Sequence, residues 1–246
     1  MKISVVTSVW NRAQTIGAAI DSVLAQSYED VEYVIQDGGS TDGTLDVIAQ
    51  KAPEASLVSA PDGGIYDGIN KGIARARGDV IGLLHSDDWF ADNDVLARVA
   101  ARFDDPQIDG VYADLEYVSA SDPGKVIRRW VSGEFSPRKL ARGWMPPHPT
   151  LYLRREVFDR LGTYDTDLKI AADYEAMLRY LTSGVRLAYN PQVAVKMRVG
   201  GESNASVKKI LRKSREDYLA LRRHKVGGLG TLAIKNLSKL RQFWPA

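Results

Sequence analysis

The chain has 246 residues, 44% of them hydrophobic and 26% charged, which is ample for a sizeable core in one α/β domain with an appendage. It contains no cysteine, so disulfides and thiolate metal sites are excluded, and no apolar run of about 18 residues that would span a bilayer. The net charge of +2 is unevenly placed: from Val207 onward eleven Lys and Arg face only Glu216 and Asp217, a net +9, leaving −7 for the rest.

The predicted elements begin almost at residue 1. Residues 3–8 are β-branched and apolar, as in a buried strand, with neither the apolar run nor the cleavage site of a signal peptide. Ile16, Ile20, Val23 and Leu24 recur at helical spacing, and residues 31–36 form a second strand. The loop after it leads into a helix with Leu45 and Ile48 inward, N-capped by Thr41 or Asp42. A short strand at 57–59, a helix marked by Ile65, Ile69 and Ile73, an apolar strand at 80–84 and a helix over 93–103 follow. This alternation predicts a mostly parallel central sheet flanked by helices on both faces. The later part is less regular: one or two strands in 111–118, a mixed loop with one short helix in 128–143, and a strand at 150–153. Helices are expected at 156–161 and 174–181, a strand at 193–199, and terminal helices at 204–223 and 229–243.

In an open parallel sheet, ligands bind beyond the carboxyl ends of the strands. That edge is acidic here: Asp37 ends the second strand, Asp62 follows the third, and Asp87 and Asp88 end the fourth. A cluster of like charges calls for a cation. A hard divalent ion such as Mg²⁺ uses one or two carboxylates and completes its shell with water and phosphate oxygens. The alternative is that Ser86-Asp87-Asp88 only caps the next helix; its place after the fourth strand favours the ligand role. The glycine-rich stretches 38–43 and 63–72 match neither G-x-G-x-x-G nor G-x-x-x-x-G-K-[ST], and the first strand runs into Trp10-Asn11-Arg12. Dinucleotide and P-loop readings are therefore weak.

Four segments in order resemble family 2 glycosyltransferases, over about residues 1–200. SVVTSVWNR (4–12) is similar to the family's first strand, and QDGGSTDGT (36–44) resembles its DDGSTDGT motif. NKGIARARGDVIGLLHSDD (70–88) resembles the run into the metal motif, and HPTLYLRREVFDRLGTYDTDLKIAADYE (148–175) the acceptor-side segment. The wording of residues 59–72 is similar to bacterial capsule and exopolysaccharide members, including the colanic-acid type. The resemblance implies a GT-A fold and an inverting transfer from a nucleoside-diphosphate sugar, a UDP-sugar above others, to a saccharide or lipid-linked saccharide in surface-polysaccharide synthesis. It implies Asp37 on the nucleobase, with Thr7, Val9, Asn11, Arg12, Asp62, Lys71, Ser86 and Asp87 around the nucleotide sugar. It implies Asp88 on Mg²⁺ or Mn²⁺, and Asp173 as catalytic base, preceded by Ala172 where the family usually has Glu. Trp144, His148 and Glu175 are acceptor-side candidates, Glu175 also competing as the base. Asp173 could equally cap its helix, Trp144 and Met145 could stack on sugar or merely pack, and His148 could be structural.

These readings divide the chain into a catalytic region (1–203), with a nucleotide-sugar half (1–115) and an acceptor half (116–203), and a basic helical extension (204–246). In the extension Leu229, Leu232, Ala233, Leu237 and Leu240 share a helical face, with Lys235, Lys239 and Arg241 elsewhere. That suits a helix on an anionic membrane surface, with the enzyme on the inner face of the cytoplasmic membrane, or a helix packed on the domain. No nucleic-acid motif accompanies the charge. A sugar nucleotidyltransferase would need a glycine-rich loop with Arg and Lys after the first strand. A non-catalytic scaffold would not need Asp37, Asp88 and Asp173 together.

Overall fold

The structure, a computed structural model, describes residues 1–199 and 207–238. The first half alternates strictly: β1 (Ile3–Val9), α1 (Ile16–Leu24), β2 (Val31–Asp37), α2 (Thr44–Lys51), β3 (Ser56–Ser59), α3 (Ile65–Arg75) and β4 (Val80–Leu83). It continues with β5 (Trp89–Phe90), α4 (Val95–Arg102), β6 (Gly110–Val118), β7 (Val126–Trp130), α5 (Pro137–Leu140), a 3₁₀ turn (His148–Thr150), β8 (Tyr152–Arg154) and α6 (Arg155–Leu161). Last come α7 (Ala172–Thr182), β9 (Leu187–Arg198), α8 (Val207–Arg223) and α9 (Leu229–Ser238).

The described strands form one sheet in the order β3-β2-β1-β4-β8-β6-β9-β5, with β7 beside β6. The expected parallel arrangement holds for β3, β2, β1 and β4 and for the pair β6 and β9; β5, β7 and β8 run antiparallel to their neighbours. The strand order reverses between β1 and β4, which opens a crevice at their carboxyl ends. The sheet curls so that β5, paired to β9, returns to α1, where Phe90 N–H donates to Ser22 Oγ at 3.2 Å.

Side-chain alternation along β1 explains the two faces. Ile3, Val5 and Val9 pack with α1, α2 and α4, whereas Val6 packs with α3, α6 and α7. Gly68 and Gly72, one turn apart on α3, allow that helix to lie against β1: a Cβ on Gly72 would overlap Val6, and one on Gly68 would lie 2.9 Å from Asp62 Oδ2. A third apolar cluster joins Leu140, Tyr174, Leu178, Ala220 and Leu221, seating α8 on α7.

Three boundaries and one helix face depart from expectation. Asp42 does not stand at the cap of α2; Gly43 does, at φ 91°, while the Asp42 carboxylate accepts the Thr44 N–H at 3.1 Å. β9 starts at Leu187, six residues early, because Pro191 and Gln192 bulge out between the partners of Ala113 and Asp114 and the ladder resumes beyond them. α7 starts at Ala172, two residues early. In α9 the face is inverted: Lys235 is buried against Asp217 at 2.9 Å and over the Tyr174 ring, while Leu229 and Leu237 are exposed. The expected helical residues 204–206 and 239–243, the boundary at 203, and Leu240 lie outside the described residues.

Candidate active site

The donor end is built from loops that follow β1, β2 and β3. Asn11, at φ 49°, ties two of them together: its N–H donates to Ser40 Oγ at 2.8 Å and its Oδ1 accepts the Thr41 N–H at 2.8 Å. Arg12 N–H donates to Thr44 Oγ1 at 2.8 Å, leaving the guanidinium half-buried at the rim with a bond to the Asn11 carbonyl. Asp37 is fully buried. One carboxylate oxygen accepts the N–H groups of Gly39 and Ser40, each at 2.9 Å, and the Ser59 hydroxyl at 2.7 Å; the other accepts the Ser40 hydroxyl. Burial opposes its charge, but these donors hold its pKa below the usual carboxylate range.

Asp37, expected on the nucleobase, is here the lock of its own loop through these four donors. Asp62 lies on the open side. Its Oδ1 accepts the Gly64 N–H at 2.9 Å, and its Oδ2 lies 2.8 Å from where a Cβ on Gly38 would stand. Within the QDGGSTDGT loop, the missing side chain at Gly38 is what lets Asp62 approach. Thr7 is also fully buried, its hydroxyl donating to the Leu84 carbonyl at 2.7 Å and meeting Tyr33 Oη at 3.2 Å. Val9 is buried in the core and contributes only its carbonyl, which accepts the Gly38 N–H at 2.9 Å. Lys71 pairs with Asp67 at 2.9 Å and reaches the Pro61 carbonyl at 3.3 Å, bracing the loop that carries Asp62.

After β4 the chain enters Ser86-Asp87-Asp88. Ser86 is buried and Asp87 half-buried. Asp88 is 1% exposed; Oδ1 accepts the Arg198 N–H at 3.3 Å, and Oδ2 has no hydrogen-bond partner among the described residues. Burial, and then the neighbouring Asp87 charge, push its pKa well above the usual range. A buried carboxylate with an unused oxygen is the donor a hard cation requires, and one carboxylate suffices when phosphate oxygens complete the shell. The described residues hold no preformed cluster of three metal-ligating groups, so such an ion would depend on the donor diphosphate. Arg198, from β9, closes this corner: its Nε donates to the Asp87 carbonyl at 3.1 Å and its guanidinium lies over the Trp89 ring at 4.9 Å.

Asp173 stands in the first turn of α7, half-buried. The Tyr66 hydroxyl donates to the Ile170 carbonyl at 2.7 Å and lies 3.3 Å from Asp173 Oδ1. Tyr66 stacks on Tyr164, whose hydroxyl meets His148 Nε2 at 2.8 Å. Burial lowers the His148 pKa to about 4, partly offset by the Asp173 charge; His85, its ring 5.8 Å away, is lowered for the same reason. Both imidazoles are thus neutral near pH 7. Burial raises the Tyr117 pKa, with smaller contributions from the charges of Asp88 and Asp173. His148 is thus buried between Tyr164 and His85. Trp144 packs on Tyr112 and Phe135 and donates to the Ser132 carbonyl at 2.9 Å, so packing is its principal role.

Glu175 faces the other way. It meets His224 Nε2 at 2.7 Å and Arg179 at 3.1 Å, and it is almost fully buried. Burial opposes its charge, yet these partners hold its pKa at about 2. From α7 it is thus engaged in an ion pair with Arg179 and a hydrogen bond with His224. Tyr66, His85, Tyr117, Tyr164 and Arg198 escaped sequence reasoning, because each reaches the site from a different element. His85 alone carried a signal, standing directly before Ser86-Asp87-Asp88.

The sequence profile described as "Glycosyl transferase family 2" matches residues 4–162. A PGL/p-HBAD biosynthesis glycosyltransferase of Mycobacterium bovis is 31% identical over 213 residues, covering 84% of this chain and 80% of that one. An uncharacterized glycosyltransferase of Mycobacterium tuberculosis is 32% identical over 194 residues, covering 72% and 68%. Among solved structures, S. aureus TarS 1–349 in complex with UDP-GlcNAc superposes with a TM-score of 0.70 at 20% identity, over 92% of this chain and 66% of that one. The longer TarS chain is covered over 40% of its length. The mannosyltransferase PcManGT from Pyrobaculum calidifontis, in complex with GDP-Man and Mn²⁺, gives a TM-score of 0.68 at 18% identity, over 98% and 72%. At these identities the structures show the fold alone, whereas the family profile spans more than half of the chain: it belongs to glycosyl transferase family 2, a glycosyltransferase with the GT-A fold.

Proposed function

We propose that this glycosyltransferase moves a sugar, with inversion, from a UDP-sugar to a hydroxyl of a lipid-linked saccharide during synthesis of a bacterial surface glycan. The observation that carries the reading is Asp88: a buried carboxylate in the loop after β4, with one oxygen accepting the Arg198 N–H and the other without a hydrogen-bond partner among the described residues. Asp88 would hold Mg²⁺ or Mn²⁺, which when bound supplies positive charge to the leaving diphosphate. Asp87 faces the ribose and diphosphate, Asp62 the nucleobase, and Arg12 the rim of the donor pocket. The solved relatives with UDP-GlcNAc and with GDP-Man and Mn²⁺ support a nucleotide-sugar donor and a divalent ion.

Asp173 accepts the proton of the acceptor hydroxyl as its oxygen attacks the anomeric carbon and the nucleoside diphosphate departs from the opposite face. This single displacement inverts the configuration. His148 is occupied by Tyr164, and Glu175 is turned to α8, which leaves Asp173 as the base. The basic C-terminal helices support an acceptor at an anionic membrane surface. No helix among the described residues is long and apolar enough to cross a membrane, so contact would be peripheral.

UDP release from a panel of UDP-hexoses and UDP-N-acetylhexosamines tests the catalytic assignment. Asp173→Asn and Asp88→Asn should each lower the rate on the order of 100-fold or more. A rate that survives both substitutions would contradict it.

A further inference from the structure

α7 begins without a cap of its own. The residue before it, Ala171, has no side chain that can accept a hydrogen bond, and the backbone N–H groups leading into the helix need an acceptor. The acceptor comes from α8, some 45 residues later in sequence. Glu216, 7% exposed, takes the N–H of Lys169 on Oε1 at 3.2 Å and the N–H groups of Ile170 and Ala171 on Oε2 at 2.8 and 3.0 Å. A carboxylate receiving three backbone donors at the start of a helix is the favourable charge arrangement for that end.

The same peptide is gripped from its other side. The Ile170 carbonyl accepts the Tyr66 hydroxyl at 2.7 Å, and Tyr66 also reaches Asp173 Oδ1. Ile170 is thus held by its N–H from the C-terminal helix and by its C=O from the donor half, and Asp173 follows in the next turn. α8 is itself anchored near Glu216: Asp217 pairs with buried Lys235 at 2.9 Å, Arg223 with Asp165 at 2.7 Å, and His224 with Glu175 at 2.7 Å. Asp217, Ala220 and Leu221 are buried beneath it.

We propose that Glu216 is a positioning residue for Asp173. The inference rests on Asp173 being the base. Glu216 does not touch substrate; it sets where the Asp173 carboxylate stands relative to the acceptor oxygen. A misplacement of about 1 Å at that point costs on the order of 100-fold in rate, while the Glu216 carboxylate hydrogen-bonds the backbone of Lys169, Ile170 and Ala171 and none of the loops after β1, β2 and β3.

The test uses the full chain and the UDP-sugar of the panel that it turns over fastest. Glu216→Ala should lower kcat by roughly 10- to 100-fold, with donor KM within about twofold of wild type. Glu216→Gln retains an acceptor oxygen for the Ile170 and Ala171 N–H groups and should restore kcat to within about fivefold of wild type. Leu221→Ala, a buried truncation in the same helix that leaves the clamp in place, should lower Tm but change kcat by no more than about twofold. Wild-type kcat in Glu216→Ala, with Asp173→Asn inactive, overturns the positioning role alone. Equal kcat losses in Glu216→Ala and Leu221→Ala at matched Tm losses also overturn it, because helix packing would then explain the effect. Wild-type kcat in Asp173→Asn overturns the base assignment and the positioning role with it.

Discussion

Asp37 and Asp62 flank the same glycine and do opposite work, because their neighbours differ. Asp37 has two backbone and two hydroxyl donors; Asp62 bonds one backbone N–H and keeps an oxygen toward Gly38. Replacing Asp37 with Ala leaves buried donors without an acceptor, each costing about 1–3 kcal/mol. Asp37→Ala should therefore lose about 2–4 kcal/mol of stability in denaturant melts. Asp62→Ala should melt within about 0.5 kcal/mol of wild type yet bind UDP on the order of tenfold more weakly by calorimetry. The reverse pattern would return nucleobase recognition to Asp37. The sequence placed both carboxylates at the correct sheet edge. It could not show that Ser40 and Ser59 converge on Asp37, since Ser59 arrives from the neighbouring strand and only register brings it there.

The alternating strands and helices of the first half were readable because each connection leaves its parallel neighbour adjacent, and apolar runs mark β1 and β4, which are buried on both faces. The second half was less readable: Pro191 disguises a strand that continues through a bulge, and α7 takes its cap from α8. The spacing of Gly68 and Gly72 gave no hint of its use until α3 was seen against Val6. At this scale the contact between α7 and α8 has a pH signature. The Glu175 pKa is about 2 when folded, against an ordinary 4.5, so the folded state favours its charged form. Its stabilisation is complete above the ordinary value and fades as pH falls from about 5 toward 2. Wild type should thus lose more stability than Glu175→Gln between about pH 5 and pH 3 in urea titrations. Parallel losses in the two proteins would mean that the pair with His224 and Arg179 contributes nothing.

Across the whole molecule, the basic C-terminal segment is two-sided. Its inner face carries Glu216, Asp217, Leu221, His224 and Lys235 to the acceptor half. Its outer face exposes Ile210, Leu211, Leu229 and Leu237 among basic residues, the composition that suits an anionic lipid surface. Of the two readings posed by the sequence, packing on the domain is met by the inner face; contact of the outer face with a membrane is the proposal to be tested. Vesicles containing phosphatidylglycerol should co-sediment the protein and neutral phosphatidylcholine vesicles should not. Leu211→Ser with Leu237→Ser, both exposed, should weaken that binding without lowering Tm; undiminished binding would assign the outer face another role.

The central claim is that the crevice between β1 and β4 holds a nucleoside diphosphate through a cation on Asp88. The most direct measurement is the thermal shift produced by UDP with and without Mn²⁺, in wild type and Asp88→Asn. At about 100 times Kd, binding adds about 2.7 kcal/mol, or roughly 5–10 °C in Tm for a chain of this size. The account predicts that rise for wild type with Mn²⁺, and its loss on chelation or in Asp88→Asn. An equal rise in Asp88→Asn, or one indifferent to Mn²⁺, would contradict it.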